Sequence, residues 1–326
     1  MKIKKYHIIT SIILICSVFL IVFSNSNVKP EQKQIGIIQF IEHDCLDMAR
    51  KGFIDELAEQ GFEDGKNIKI DYQNAQGDQS VCNSIASNFL ENSVKKDLIL
   101  SIATPAAQSV ANLTKTVPIL FTAVTDPVSC GLVKSIDEPG GNITGTSDMV
   151  AVEKQINLIK QLKPSAKKVG ILYCSSEANS QVQAQIAKNE AEKLGLEAID
   201  YTVSNSSEIQ QMVEYMAGLV DAIFVPTDNL VVSCMPLVSK IATAAKKPII
   251  CSESASVKNG ALATYGIDFY KLGKETAKQA VQVLRDQKTP QKLPVQYQSD
   301  PKLSINYEVA KKLEIEIPEN LRGQAQ

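Results

Sequence analysis

The 326-residue sequence contains no tryptophan and only two histidines, of which only His43 lies beyond the first 30 residues. A metal site with two histidines is therefore excluded from that part of the chain, and a histidine-dependent catalytic triad would have a single candidate. The sequence also lacks a G-x-S-x-G nucleophile elbow and a G-x-x-x-x-G-K-[ST] phosphate loop. We therefore expect no enzymatic activity, no catalytic residues and no cofactor.

The sequence has no excess of charge of either sign. It holds 34 lysines and arginines and 36 aspartates and glutamates, which give a formal net charge of −2 at pH 7. Beyond the first 26 residues there is no extended basic run and no basic patch interleaved with aromatic residues. Surfaces that bind nucleic acid are strongly basic, so we exclude a nucleic-acid partner.

The cysteines show no spacing typical of metal or redox sites. Six lie beyond the apolar N-terminal segment, and no two of them form a C-x-x-C pair: Cys45, Cys82, Cys130, Cys174, Cys234 and Cys251. We interpret them as small apolar side chains, with a disulfide as the alternative. The run from Glu42 to Cys45 is rich in potential metal ligands, but neighbouring side chains point in divergent directions. We interpret it as a helix start and expect no metal.

The N-terminal segment has the three parts of a secretory signal. Lys2, Lys4 and Lys5 precede the uncharged stretch Ile8–Phe23, and the polar residues Ser24–Asn27 follow. An apolar stretch of this length is shorter than the roughly 20 residues of a membrane span. We expect residues 1–26 to be a signal peptide, with an uncleaved anchor or lipidation at Cys16 as alternatives, and residues 27–34 to be a linker. The protein is then exported and acts outside the cytoplasmic membrane, to which it is bound if the leader is retained or lipidated.

Short apolar runs, each followed by a small polar cluster, recur along the chain. Runs of this kind are typical of buried parallel strands. The segments between them show the apolar spacing of helices, for example at Leu46, Ala49, Phe53 and Leu57. The runs are Ile35–Phe40, Ile68–Tyr72, Asp97–Ala103, Pro118–Val124, Lys168–Tyr173, Ala222–Val225, Pro248–Cys251 and Ala261–Tyr265. The alternation predicts an α/β fold with doubly wound parallel sheets.

The pattern occurs twice, on either side of the glycine-rich stretch Gly140–Gly145, which we interpret as a turn entering a hinge. We therefore predict two lobes joined by several hinge strands. The first lobe comprises residues 35–146 plus about 268–292, and the second comprises residues 147–267 plus about 293–326. Ligands of such sheets bind outside the carboxyl ends of the strands, so we expect a small solute in the cleft between the lobes.

Polar residues at the predicted strand ends are the candidate ligand contacts. Thr104-Pro105 has the chemistry of a helix start, and the free N–H groups behind it suit a carboxylate. Asp126, Asp228 and Asp268 suit an ammonium group, although each also suits a helix cap or turn. The other candidates, which would complete the walls of the cleft, are His43, Glu177, Asn179, Ser180, Asn229 and Glu253.

Several motifs resemble one known family in their order along the chain. They are Ile35–Phe40 with Glu42-His43, Ala103–Gln108, Thr125–Val128, Asn142–Gly145, Glu177–Ser180, Pro226–Asn229 and Gly266–Tyr270. Together they are similar to the tryptophan/tyrosine-type substrate-binding proteins of ABC transporters over roughly residues 34–322. The resemblance implies the type I periplasmic-binding-protein, or Venus-flytrap, fold. It also implies an aromatic or other apolar amino acid as ligand, and an ABC permease with its ATPase as partners.

Two features depart from the family pattern. Members from single-membrane bacteria commonly carry a lipobox, which is missing here, and Cys130 stands where a different small residue is more usual. Two other functions remain as alternatives. One is a membrane-tethered sensing domain that feeds a signalling partner. The other is an enzyme such as a racemase or hydrolase on the same scaffold, against which the single histidine and the absent nucleophile motif count.

Overall fold

The computed structural model describes residues 32–91 and 93–324. The predicted signal or anchor over residues 1–26, and most of the predicted linker, lie outside these ranges. No helix within the described ranges combines the length and the apolar character needed to cross a membrane.

The described residues contain twelve strands and twelve α-helices. The strands are β1 Lys33–Gln39, β2 Ile68–Asn74, β3 Leu98–Ile102, β4 Ile119–Val124, β5 Ile143–Ser147, β6 Lys168–Cys174, β7 Glu197–Val203, β8 Ala222–Val225, β9 Ile249–Cys251, β10 Ala263–Gly266, β11 Gln296–Tyr297 and β12 Lys302–Ile305. The helices are α1 Asp44–Glu59, α2 Gln79–Glu91, α3 Thr104–Leu113, α4 Val152–Leu162, α5 Ala178–Lys193, α6 Ser206–Ala217, α7 Asn229–Ser233, α8 Met235–Ala244, α9 Ser254–Lys258, α10 Phe269–Leu284, α11 Tyr307–Leu313 and α12 Glu319–Arg322. A short 3-10 helix covers Pro290–Lys292.

The strands form two six-stranded sheets. The order is β11-β5-β4-β3-β1-β2 in the first and β12-β10-β9-β8-β6-β7 in the second. All pairings between named strands are parallel except that of β10 with β12. The predicted α/β class with two doubly wound sheets is therefore confirmed.

The chain passes between the two sheets three times within the described residues. It leaves the first sheet after β5, returns to that lobe through α10 and β11, and leaves again to form β12. Because β11 still pairs with β5, the last passage follows Tyr297, a few residues beyond the boundary expected near residue 293. Three connections therefore link the two lobes.

Helix α10 packs directly on α1 and so belongs to the first lobe. A Cβ atom on Gly273 would come within 1.9 Å of the Ala49 carbonyl oxygen, and one on Gly52 within 2.0 Å of the Tyr270 carbonyl oxygen. The backbones of α1 and α10 are therefore in direct contact at these two glycines, and any residue with a side chain at either position would prevent the contact. This contact holds α10, which follows the second passage of the chain between the sheets, against the first lobe.

The stretch Gly140–Gly145 was predicted as a turn, and this is wrong in part, because β5 begins at Ile143. The strand is buried along its whole length and pairs in parallel with β4. A Cβ atom on Gly145 would lie 1.9 Å from the Phe121 carbonyl oxygen, beside an irregularity in the register of β4. The glycine therefore serves close backbone packing inside a strand.

Candidate ligand-binding site between the lobes

Buried polar residues from the carboxyl ends of both sheets form the candidate site. In an open α/β sheet these ends face the ligand crevice, and here two such edges contribute to one cluster. The first lobe supplies His43 after β1, Thr104 after β3, Thr125 after β4 and Asp148 after β5; the second supplies Glu177 and Asn179 after β6, Asp228 and Asn229 after β8, and Glu253 after β9. The fold thus brings most of the predicted site residues together.

Four buried carboxyl groups dominate the electrostatics of the cluster. Burial raises the pKa of Asp148 to about 6, and burial together with neighbouring carboxylates raises the pKa of Glu177 and of Glu253 to about 8. The pKa of Asp228 is also raised by burial. In the described part of the chain, no lysine or arginine pairs with these four groups. The cluster is therefore suited to a cationic group supplied by a ligand.

The start of α3, by contrast, is suited to a negatively charged group. Thr104 opens the helix and Pro105 follows in its first turn, as the sequence predicted for a helix start. Ala103 before it has φ 81° and ψ 157°, a strained conformation for alanine of the kind found at ligand sites. No side chain caps this helix, and the buried Thr104 Oγ1 has no hydrogen-bond partner. Together with the free N–H groups of the first turn, this hydroxyl can receive a carboxylate.

In the second lobe, Glu177 and Asp228 hold the loop that begins α7. The Glu177 carboxylate accepts hydrogen bonds from the backbone N–H groups of Asn229 (3.1 Å) and Leu230 (3.0 Å). The Asp228 carboxylate accepts from the backbone N–H groups of Cys174 (2.6 Å) and Val231 (2.8 Å). Of the two roles predicted for Asp228, the structure shows the helix cap, and contact with a ligand stays a prediction.

Asn179 and Ser180 complete this wall. The Asn179 Nδ2 donates to the Thr227 carbonyl oxygen at 2.8 Å, and the Ser180 hydroxyl donates to the same oxygen at 3.2 Å. The Asn179 Oδ1 is buried and has no partner, so it is free to accept a hydrogen bond from a ligand.

Asp126 and Asp268 stabilise local structure. Asp126 is half-buried and accepts from the backbone N–H of Ser129 at 2.9 Å, within its own turn. The Asp268 side chain is 46% exposed, caps α10 through the N–H of Lys271 at 3.1 Å, and lies 3.5 Å from the Lys271 ammonium. Their contact with a ligand also stays a prediction.

His43 and Glu253 meet across the cleft from different lobes. The His43 Nδ1 lies 4.0 Å from the Glu253 Oε2, and both side chains are buried. Neither histidine nitrogen has a hydrogen-bond partner, and neither does this carboxylate oxygen. Burial lowers the pKa of His43 to about 4, so the imidazole is neutral. The Cys45 thiol lies in the same group, with one donor atom from each residue within 4.8 Å of the others.

Sequence reasoning missed Asp148, Thr125 and Gln183. Asp148 follows β5, a strand that the sequence did not reveal, so it could not be identified as a strand-end residue. Gln183 lies inside α5, where its amide accepts from the Thr227 N–H at 2.8 Å and donates to the Thr227 hydroxyl at 3.1 Å. The signal for Thr125 was present in the sequence, because it directly follows the apolar run that forms β4.

Two doubly wound lobes with a polar cleft between their strand ends define the class of two-lobed solute-binding proteins. Solved structures agree: a solute-binding protein from Bacillus halodurans with bound myo-inositol, 16% identical, has the same fold, with a TM-score of 0.62 over 89% of this chain and 99% of that one. The predicted type I periplasmic-binding-protein fold is thereby confirmed. More specifically, the chain belongs to the family of ABC transporter substrate binding proteins, whose profile matches residues 34–326. This family consists of extracytoplasmic solute-binding proteins.

Three relatives are informative. The chain is 47% identical to a tyrosine-binding protein of Clostridioides difficile (strain R20291), over 90% of this chain and 85% of the relative. It is 42% identical to an ABC domain from Streptococcus pneumoniae solved in complex with L-Trp, with a TM-score of 0.86 over 90% of this chain and 99% of that one. It is 46% identical to a substrate-binding protein with adhesive properties from Clostridium difficile, whose structure was solved ligand-free and open. The TM-score is 0.66 over 88% of this chain and 97% of that one. The resemblance to the tryptophan/tyrosine-type members is confirmed.

Proposed function

We propose that this protein is the exported solute-binding component of an ABC importer and that it captures an aromatic or other apolar amino acid between its lobes. The observation on which the proposal depends is the cluster of four buried carboxyl groups without a protein cation, together with an uncapped helix start that also follows a strand of the first sheet. An amino acid has the two charges that this arrangement is suited to receive. The relatives that bind tyrosine or L-Trp support an aromatic side chain.

We assign the ligand carboxylate to Thr104 and the first turn of α3. The ammonium group is assigned to Asp148 and Asn179, because each has a buried oxygen without a partner, one on either side of the cleft. Glu177 and Asp228 act indirectly, since their oxygens already hold the loop at α7. Charge-assisted hydrogen bonds of this kind contribute about 1.5–3 kcal/mol each, so Asp148 is the most informative residue to change.

Hinge closure is the proposed mechanism. At nearly equal sequence identity, the lobe arrangement resembles the L-Trp complex (TM-score 0.86) more than the ligand-free, open relative (TM-score 0.66). A ligand that bridges Asp148 and Asn179 favours the closed form by its differential affinity, and closure buries it from water. The closed surface is then what the permease recognises.

The absence of tryptophan makes the test direct. Because the chain has none, the indole fluorescence of L-Trp can be excited with little protein background, and its blue shift on burial reports binding. We expect L-Trp, L-Tyr or L-Phe to bind the purified protein, and Asp148→Asn to weaken that binding at least tenfold. The matched control is Asp300→Asn, an exposed aspartate that pairs with Lys302. A failure of all three amino acids to bind, or equal affinity in Asp148→Asn, would contradict the proposal.

A melting-temperature screen identifies the ligand class independently. A ligand that binds the folded form raises the melting temperature by mass action. A shift with a sugar or nucleoside and none with amino acids would keep the fold and exclude the amino-acid class. Uptake of labelled L-Trp by cells, lost in Asp148→Asn and retained in Asp300→Asn, would distinguish an importer component from a tethered sensor.

A further inference from the structure

The His43, Cys45 and Glu253 side chains form a group that is assigned no direct contact with the proposed amino-acid ligand, although Glu253 belongs to the cluster of four buried carboxyl groups. His43 and Cys45 lie at the end of β1 and the start of α1 in the first lobe, whereas Glu253 follows β9 in the second. Glu42 and Asp44, their neighbours in sequence, are exposed. The alternate residues therefore point inward together and meet a third ligand from a separate element.

All three side chains are buried, and the group is short of hydrogen bonds. The exposed fraction of the side chain is 5% for His43 and 3% for Glu253, and both imidazole nitrogens and Glu253 Oε2 lack partners. Most buried polar groups in proteins are hydrogen-bonded, so the unpartnered imidazole nitrogens are open to a ligand, with the nearby Asn229 side chain as the alternative partner. The Nδ1 and Oε2 atoms lie 4.0 Å apart, so a single ion placed between them can contact both.

We propose that His43, Cys45 and Glu253 form a binding site for a divalent thiophilic cation, Zn²⁺ foremost, that bridges the two lobes. An imidazole, a thiolate and a carboxylate are the ligand types that zinc takes in proteins, at about 2.0–2.3 Å from the metal. The donor atoms, all within 4.8 Å of one another, would have to move closer by about 1 Å to reach that geometry. A fourth position stays open for water.

The surroundings favour a cation at this position. Asp148, Asp228 and Glu177 lie close enough to raise the pKa of Glu253, and burial raises the pKa of the Cys45 thiol well above its usual value. A divalent ion would favour the ionised forms of these carboxyl groups, and both the Cys45 thiol and the Glu253 carboxyl group, whose pKa is about 8, would release their protons to solvent on binding the metal. Because its ligands come from both lobes, the ion would also favour the closed form.

The test is metal binding by the purified protein, read through Co²⁺ as a spectroscopic probe and through competition for Zn²⁺ with a chromogenic chelator. We expect one ion per chain and a thiolate-to-cobalt charge-transfer band that is lost in Cys45→Ser. The affinity for Zn²⁺ should fall at least tenfold in Cys45→Ser and in Glu253→Gln, since loss of even an outer-shell partner costs about 10- to 100-fold. Cys82→Ser, another buried free cysteine of the first lobe, is the matched control and should bind normally. Small-angle scattering should show that Zn²⁺ makes the wild-type protein more compact but not Cys45→Ser.

Each outcome bears on the proposal. No binding by the wild-type protein at micromolar Zn²⁺, or unchanged binding in Cys45→Ser, would overturn it. Thermal unfolding of the metal-free variants shows whether a loss of metal binding results from a loss of the fold. A second variant, Cys45→Ala, removes the thiol without adding a hydroxyl group. The two sites share the carboxyl cluster but differ in their direct contacts: Cys45→Ser should still bind the amino acid, and Asp148→Asn should still bind Zn²⁺. Failure of one proposal therefore leaves the other standing.

Discussion

Gln183 holds Thr227 through both ends of its side-chain amide. The Gln183 Oε1 accepts from the Thr227 N–H at 2.8 Å, and its Nε2 donates to the Thr227 hydroxyl at 3.1 Å, in a fully buried setting. The same Thr227 accepts hydrogen bonds from Asn179 and Ser180 through its carbonyl oxygen. Gln183 therefore positions the loop that forms the second wall of the cleft.

We expect Gln183→Ala to lower both the stability and the ligand affinity. The change leaves the buried Thr227 N–H without a partner, which costs about 1–3 kcal/mol in the free energy of unfolding. Amino-acid affinity should fall as well, because Asn179 depends on the position of Thr227. Urea unfolding and indole fluorescence titration measure the two effects.

The control for this prediction lies two residues away on the same helix. Gln185 is exposed and contacts Asn189 at 3.0 Å on the surface, so Gln185→Ala should change the unfolding free energy by less than about 0.5 kcal/mol. Equal stability of the Gln183 and Gln185 variants would mean that the buried amide does not hold the loop.

A second prediction concerns the close contact of β5 with β4. The Cβ of Gly145→Ala would lie 1.9 Å from the Phe121 carbonyl oxygen, so one of the strands must shift. We expect this variant to lose about 3 kcal/mol of stability or more, since overpacking a rigid backbone contact is costly. Gly141→Ala, where a Cβ meets nothing within 4 Å, should be nearly neutral. Thermal unfolding compares the two, and a small effect at Gly145 would show that β5 adapts easily.

The same contact explains what the sequence could and could not reveal. Strands with buried Ile, Val and Leu were visible as apolar runs, and the polar residues after them, such as Thr104 and Glu253, were found for that reason. The strand β5 reads Ile-Thr-Gly-Thr-Ser, because its small residues fit against a neighbouring backbone, and it therefore lacks the apolar signal. Asp148 follows this strand and was therefore not predicted as a site residue.

Side-chain roles were less predictable than positions. Asp228 and Asp268 each follow a strand and each suited either a cap or a ligand contact. Only the structure shows that Asp228 is buried with two backbone partners whereas Asp268 is largely exposed. That difference depends on which residues of distant segments cover each aspartate, and the local sequence does not show which residues these are.

The Thr104 hydroxyl should matter for binding but not for folding. Its Oγ1 is buried without a partner, so Thr104→Val removes an unsatisfied polar atom and should leave the unliganded protein as stable or more stable. The affinity for the amino acid should fall about tenfold, because the ligand carboxylate loses one hydrogen bond. Calorimetric titration and thermal unfolding together separate the two effects. Thr116→Val, at the other end of the same lobe beside Thr114, is the control, and equal affinities would contradict the assignment of Thr104.

The last prediction is the pH dependence of binding, which follows from the Asp148 carboxyl group. Its pKa is raised by burial to about 6, so the folded protein retains a proton that an unfolded aspartate would lose near pH 4. The contribution of this group to stability is therefore greatest at low pH and is lost as the pH rises to about 6. Pairing with the ligand ammonium requires the ionised form, so amino-acid affinity should fall by up to about tenfold per pH unit below pH 6.

Three neighbouring groups titrate outside this window, while Asp228 is a further buried carboxyl group whose pKa is raised. The pKa values of Glu177 and Glu253 are raised to about 8, and that of His43 is lowered to about 4. We expect a decline in affinity centred near pH 6, and Asp148→Asn should flatten it if Asp148 rather than Asp228 is the group that titrates. Dissociation constants measured from pH 5 to 8 for both proteins decide the point: an inflection near pH 6 that survives in Asp148→Asn would assign the ammonium partner to another carboxylate.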